Sequence, residues 1–234
     1  MNDPEIRKLL IPSLVKQFPE GRIIQELTVD STWGESTIND TAIADVVVVS
    51  DLLHCYEIKS DKDTLARLPR QMKQYNRVFD TVTLVVGERL FPDAVLSQGV
   101  PWGCGLGLCA FGKMRVIREP KRVYYKDWPV FARLLWRCES LEILERYGFA
   151  KGFKGKTKDV LAARIVEKLT PEEIHKEVLE TLKERDYYNP KHTRTIEVID
   201  CSTIRNTATP AITSTRNASD TSGDGNNCSA TSGA

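Results

Sequence analysis

The run Ile43-Ala44-Asp45-Val46-Val47-Val48-Val49 constrains this chain more than any other segment. Its β-branched content predicts a strand covered on both faces, as in a sheet flanked by helices. A carboxylate inside such a run is costly to bury unless something compensates it. Asp45 therefore needs partners, and the next segments supply candidates.

Twelve residues on, a second strand-like segment ends in Tyr56-Glu57-Ile58-Lys59. Alternation places Glu57 and Lys59 on one face and His54 on the other, where it reads as a packed or surface histidine. If the two strands are neighbours, Asp45 and Glu57 converge. Two carboxylates and a backbone carbonyl such as that of Ile58 make a hard oxygen site suited to Mg²⁺, which takes few protein ligands and retains water. Lys59 then offers a compact cation, able to hold a nucleophilic water or offset charge on a phosphate. Gln71 and Tyr75, spaced i, i+4 on the following helix, share one face. Gln71 can bond the lysine, the water or a phosphate oxygen; Tyr75 can donate its hydroxyl or present its ring to a base.

The order of elements supports this placement. A first helix is predicted with Asn2 or Asp3 as N-cap, Pro4 at its first position and Glu5 in its first turn, kinked or ended by Pro12. Strands are expected over 22–29, 42–49 and 53–59, a helix over 63–79 interrupted at Pro69, and a strand over 81–87. Two further strands are expected near 106–111 and 114–118. Helical periodicity then runs from 127 to about 185, with starts at Ser140, 156–159 and Thr170. The fold class is α/β: an αβββαβ core around a mixed sheet over residues 1–126, a small all-α unit over 127–186, and a tail over 187–234. From Cys201 onward Ser and Thr supply 13 of 34 residues and aromatics are absent, a composition that predicts disorder.

Asp45, Glu57-x-Lys59 and Gln71-x-x-x-Tyr75 together resemble the motif series of the PD-(D/E)XK nuclease superfamily, in its RecB-like branch. Tyr56 to Asp61, with Asp63-Thr64-Leu65 and Arg67-Leu68-Pro69-x-Gln71 behind it, is also similar to a bacterial group of such proteins described mostly as hypothetical. The resemblance covers roughly residues 1–90 and implies a restriction-endonuclease-like core. It also implies metal-dependent phosphodiester hydrolysis, with Mg²⁺ as cofactor, Mn²⁺ as substitute and DNA as substrate. Such proteins usually add an upstream acid; Glu26 and Glu5 are the two candidates, Glu26 the favoured one. Ile43 stands where relatives often carry Arg, and Ala44 replaces the family proline.

The whole chain of 234 residues carries a net charge of only +1, yet 112–168 holds 15 Lys and Arg against 7 Asp and Glu. Lys113, Arg115, Arg118, Lys121 and Arg122, with Tyr124, Tyr125 and Lys126 behind them, form the pattern a phosphate-tracking surface needs, or a basic edge strand that resists aggregation. Further on, a helix pair joined by the basic turn holding Lys151, Lys154, Lys156 and Lys158 is similar to the SAP motif, a short DNA-binding helix pair. Its amides and lysines could grip phosphates without reading bases. A purely structural turn is the other reading.

No apolar run approaches a membrane span, and the N-terminus lacks a secretory pattern, so a cytoplasmic protein is expected. The six cysteines lack zinc-site spacing and read as small apolar fillers. Two functions follow: a Mg²⁺-dependent DNA nuclease, or a catalytically silent nucleic-acid-binding or assembly module on the same fold.

Overall fold

In the computed structural model, which describes residues 1–30, 41–96, 100–187 and 196–204, the apolar run is the strand β2 (Thr41–Val49). Val46 to Val49 are all fully buried there, each contributing up to about 1.5–3 kcal/mol by leaving water. Before it come α1 (Asp3–Gln17) and β1 (Arg22–Asp30); after it come β3 (Leu53–Lys59), α2 (Leu68–Val78), β4 (Thr81–Gly87), the short α3 (Phe91–Leu96), β5 (Gly105–Ala110) and β6 (Lys113–Arg118). The helical region comprises α4 (Trp128–Ala132), α5 (Arg137–Arg146), α6 (Lys158–Lys168) and α7 (Pro171–Glu184). The chain then returns as β7 (Val198–Asp200) and a single turn, α8 (Cys201–Ile204). The strands form one mixed sheet in the order β6-β5-β4-β3-β2-β1-β7, parallel only between β3 and β4 and between β4 and β5. The expected αβββαβ core is present.

Both sheet faces are covered. On one, Ile6, Leu10 and Leu14 of α1 pack on Val46, Val48, Tyr56 and Ile58. On the other, Met72, Tyr75 and Phe79 pack on Val47, Val49 and Cys55, and the same apolar cluster continues through Phe131, Ile143, Leu161 and Val178. The helical region thus shares its core with the sheet, and residue 126 marks a change of secondary structure, not a break in packing.

Several local expectations shift. Asn2 is the N-cap of α1, in a capping box with Glu5, but α1 continues past Pro12. Pro12 and Lys8, whose carbonyl loses its donor, both lie on the exposed face, where water replaces the bond. Pro69 sits in the first turn of α2, where its missing N–H costs nothing, so the helix begins at Leu68 and not at 63. Ser140 lies buried inside α5, which starts at Arg137, whereas Thr170 and Glu173 cap α7 as expected. The tail expected from 187 onward is ordered over 196–204: β7 pairs with β1, Ile199 opposite Ile23, and Cys201 is fully buried. An open edge on β1 and the apolar Ile196, Val198 and Ile199 outweigh the composition of the segment as a whole; 188–195 and 205–234 lie outside the described residues.

Two glycines serve the backbone. Gly87 ends β4 against the Asp61 side chain, leaving no room for a Cβ. Gly112, at φ +70°, and Phe111, at φ +51°, make the two-residue turn between β5 and β6, a conformation that suits glycine and strains phenylalanine.

Asp80, 1% exposed at the foot of β4, ties the layers together. Its Oδ2 accepts from the Leu53 N–H at 2.7 Å and lies 2.9 Å from Nε2 of His175 on α7, while Lys126 Nζ stands 3.1 Å from Oδ1. Burial pushes its pKa up, but the His175 hydrogen bond, the Lys126 charge and the Leu53 N–H outweigh burial and hold it down to about 2. A folded-state pKa below the unfolded value of about 4 contributes stability that is full above that pH and fades as pH falls toward 2. Asp80→Asn is expected to lose on the order of 3 kcal/mol at neutral pH, by urea unfolding, and to narrow its gap from the parent between pH 4 and 2. An unchanged gap across that window contradicts this assignment.

Candidate active site

β2 and β3 pair antiparallel with Val46 opposite Tyr56, so Asp45 and Glu57 are the next residues along the same ladder. Asp45 Oδ2 accepts from the Ile58 N–H at 2.7 Å, which fixes its carboxylate against β3. Glu57 is 1% exposed and surrounded by donors. Its Oε1 accepts from Gln71 Nε2 at 2.6 Å and, in a shorter contact, from Lys59 Nζ. Its Oε2 accepts from the Tyr75 hydroxyl at 2.7 Å, and that hydroxyl also lies 2.8 Å from the Ile43 carbonyl. The five residues picked out by their spacing therefore meet at one place.

The roles differ from part of the expectation. Gln71 and Tyr75 orient Glu57; their described bonds do not reach the lysine. Tyr75 is fully buried, so its ring is unavailable to a base, and burial, with Cys55 and Glu57 nearby, keeps its phenol protonated far above the usual range. Ile58 contributes its N–H in the described contacts. His54 lies away from the carboxylates, between Ser50 and Thr81, and burial lowers its pKa to about 4, leaving it neutral.

Burial, then the adjacent Glu57 charge, raises the Asp45 pKa to about 7, against the pull of the Ile58 N–H, Arg7 and Lys59. Two carboxylates held this close resist joint ionisation.

Arg7 of α1 is the participant that sequence reading missed. Its Nη1 donates to the Asp45 carbonyl at 2.9 Å and to Gln25 Oε1 at 2.8 Å; its Nη2 donates to Glu26 Oε1 at 2.6 Å and stands 3.8 Å from Asp45 Oδ1. The helical spacing of Asp3 and Arg7 hints at their 2.6 Å pair, but nothing local says which face of α1 meets the end of β2. Glu26 lies across from Asp45, in a left-handed backbone conformation at φ +60° that the β1–β2 ladder skips. Its half-exposed carboxylate is turned to Arg7, so it is one residue removed from the pair, and Glu5 is committed to capping α1.

Among the described residues no cluster of three or more His, Cys, Asp or Glu forms a metal cage. The donors instead suit a hard ion that keeps much of its water: two carboxylates, with Gln71 Oε1 buried and lacking a hydrogen-bond partner among the described residues. A cleft of about 610 Å³ opens beside the site, lined by Asp61, Asp63, Arg89 and Asp93 among others, and none of the five converging residues lines it.

The basic residues are distributed unevenly. Lys113, Arg115, Lys121 and Arg122 are exposed, but Arg118 is tied to the Cys104 carbonyl at 2.8 Å. Lys151, Lys154 and Lys156 are exposed on the turn between α5 and α6, whose carbonyls at 154 and 156 are held by Arg137; Lys158 is half-buried, and burial, with Arg133 and Arg185 nearby, lowers its pKa.

This α/β chain belongs to the family described as bacteriophage P4 protein cII, whose model matches residues 1–210. It is 25% identical over 195 residues to Protein cII of Enterobacteria phage P4, covering 79% of this chain and 68% of that one. A solved structure, SPO1766 protein of unknown function from Silicibacter pomeroyi, is 14% identical with a TM-score of 0.38, covering 65% of this chain and 92% of that one. Among the described residues no helix is long and apolar enough to cross a membrane.

The carboxylate pair carries a stability cost that can be measured. A pKa raised from about 4 unfolded to about 7 folded means that metal-free stability falls as pH rises through that window. Asp45→Asn, which keeps the oxygen facing Ile58, is expected to be the more stable protein at pH 8 in a chelator, by on the order of 1 kcal/mol, with the advantage shrinking toward pH 5. Thermal melts at the two pH values check this; a less stable variant at pH 8 speaks against the repulsion.

Proposed function

We propose that this protein is a Mg²⁺-dependent nuclease acting on DNA, with Mn²⁺ as a substitute. The observation that carries the reading is the convergence on Glu57 of Lys59, Gln71 and Tyr75, beside a second carboxylate from the neighbouring strand. Asp45 and Glu57 would hold the ion, with the Ile58 carbonyl as a further oxygen. The ion would offset the mutual repulsion of the carboxylates, and bound there it supplies Lewis-acid stabilisation of a phosphodiester and a more acidic water. Gln71 and Tyr75 keep Glu57 in one orientation, and a fixed donor set lowers the reorganisation needed at the moment of reaction. Lys59, 5% exposed and next to Glu57, is placed to hold the attacking water or to offset charge on the phosphate. Arg7 and Glu26 form the outer rim. The exposed cations of β6, the segment after it and the α5–α6 turn would recruit the polyanion.

A second reading has its own support. Lys59 and Arg7 already counter the two acids, and among the described residues no third acid joins them, which is what a silent DNA-binding or assembly module would retain. Circular and linear DNA, single- and double-stranded, incubated with Mg²⁺ or Mn²⁺ separates the two. The nuclease reading expects cleavage that is lost in chelator and reduced at least about 100-fold by Glu57→Gln or Lys59→Ala. Intact DNA on every substrate, with binding indifferent to metal, supports the module.

A further inference from the structure

An aromatic and basic surface lies away from the carboxylates. Trp102 precedes β5 and is 75% exposed; Tyr124 and Tyr125, in the segment after β6, are 84% and 86% exposed. Exposure of three large rings in one region is unusual for a surface that binds nothing. Two backbone bonds hold the pieces together: Lys121 N–H to the Gly103 carbonyl at 2.8 Å, and Val123 N–H to the Asp80 carbonyl at 2.7 Å. They set Lys121 Nζ 4.2 Å over the Trp102 ring, while the Arg122 guanidinium sits 5.5 Å from the Tyr124 ring. Neither Lys121 nor Arg122, nor Lys113 and Arg115 on the adjoining edge strand, has an acidic ion-pair partner among the described residues.

This surface belongs to the amino-terminal ends of β4 and β5, since Asp80 directly precedes β4 and Thr83 pairs with Gly105. The carboxylates lie farther along the strand direction, where Glu57 pairs with Leu84. Three residue steps of β4, from Thr81 to Leu84, separate the two levels, about 10 Å of strand.

We propose that Trp102, Tyr124 and Tyr125, with Lys121 and Arg122 between them, form a stacking platform for single-stranded DNA. Ring faces interleaved with unneutralised cations match the two repeating features of a single strand, an open base face and a phosphate. A duplex offers only the phosphates, because its bases already stack on each other. A protein partner would gain from the rings but would have to bring acidic groups to meet every cation. The choice of DNA rests on the nuclease reading, while the platform itself stands apart from the carboxylates.

The test is fluorescence anisotropy of the full chain in chelator, so that no cleavage enters, with labelled oligothymidine of about 20 nucleotides, the matching duplex and oligouridine. Oligothymidine is expected to bind at least about tenfold tighter than duplex, and Trp102→Ala or the pair Tyr124→Ala and Tyr125→Ala to weaken it about tenfold, with Trp102→Phe largely restoring it. Lys121→Ala with Arg122→Ala should flatten the salt dependence by a slope of about 1.4. Equal affinity for duplex, a preference for oligouridine, or unchanged binding by the aromatic variants overturns the platform. So does sedimentation showing that these rings instead hold two copies of the chain together. Loss of Mg²⁺-dependent cleavage with intact single-strand binding counts against the nuclease reading alone.

Discussion

The antiparallel pairing of β2 with β3 forces two carboxylates into each other's field, and the surrounding structure answers that constraint. Register alone makes Asp45 and Glu57 neighbours, and the apolar run around Asp45 denies them full hydration. Without compensation, two buried charges of one sign would cost several kcal/mol. Compensation arrives from three directions: Lys59 from the same strand, Gln71 and Tyr75 from α2, and Arg7 from α1. Each helix therefore has a polar task at the end of its apolar face, and the two sides of the sheet are coupled through a few ångströms of charge.

That arrangement is stable enough to exist and strained enough to be useful. Asp45 still titrates near neutrality, because the cations near it are shared: Arg7 also serves Asp3, Gln25 and Glu26, and Lys59 is bonded to Glu57. A site with residual repulsion has affinity in reserve for a divalent cation. Membership of the bacteriophage P4 protein cII family fixes kinship over residues 1–210; the chemistry is argued from the side chains.

Much of this was legible in the sequence because it depends on short-range periodicity. Strand alternation correctly put Glu57 with Lys59, and helical spacing put Gln71 with Tyr75. The bounds of β3 and β4 follow from short runs rich in apolar and β-branched residues set between polar turns. What escaped depends on long-range placement. Arg7 is one basic residue of a helix until α1 is docked, and the seventh strand is three residues ordered by the open edge of β1 and by apolar contacts that form only there. The roles of Gln71 and Tyr75 were open for the same reason, since spacing tells which residues share a face but not which oxygen they meet. Pro69 misled because the same residue that breaks a helix interior starts one well.

The most direct measurement is an anomalous-scattering map from crystals of the full chain soaked in Mn²⁺. A peak is expected between Asp45 and Glu57, within coordination reach of both and absent in Asp45→Asn crystals. A map with no peak there while Mn²⁺ occupies other sites, or with Arg7 and Lys59 still closing the pair at high Mn²⁺, would contradict it.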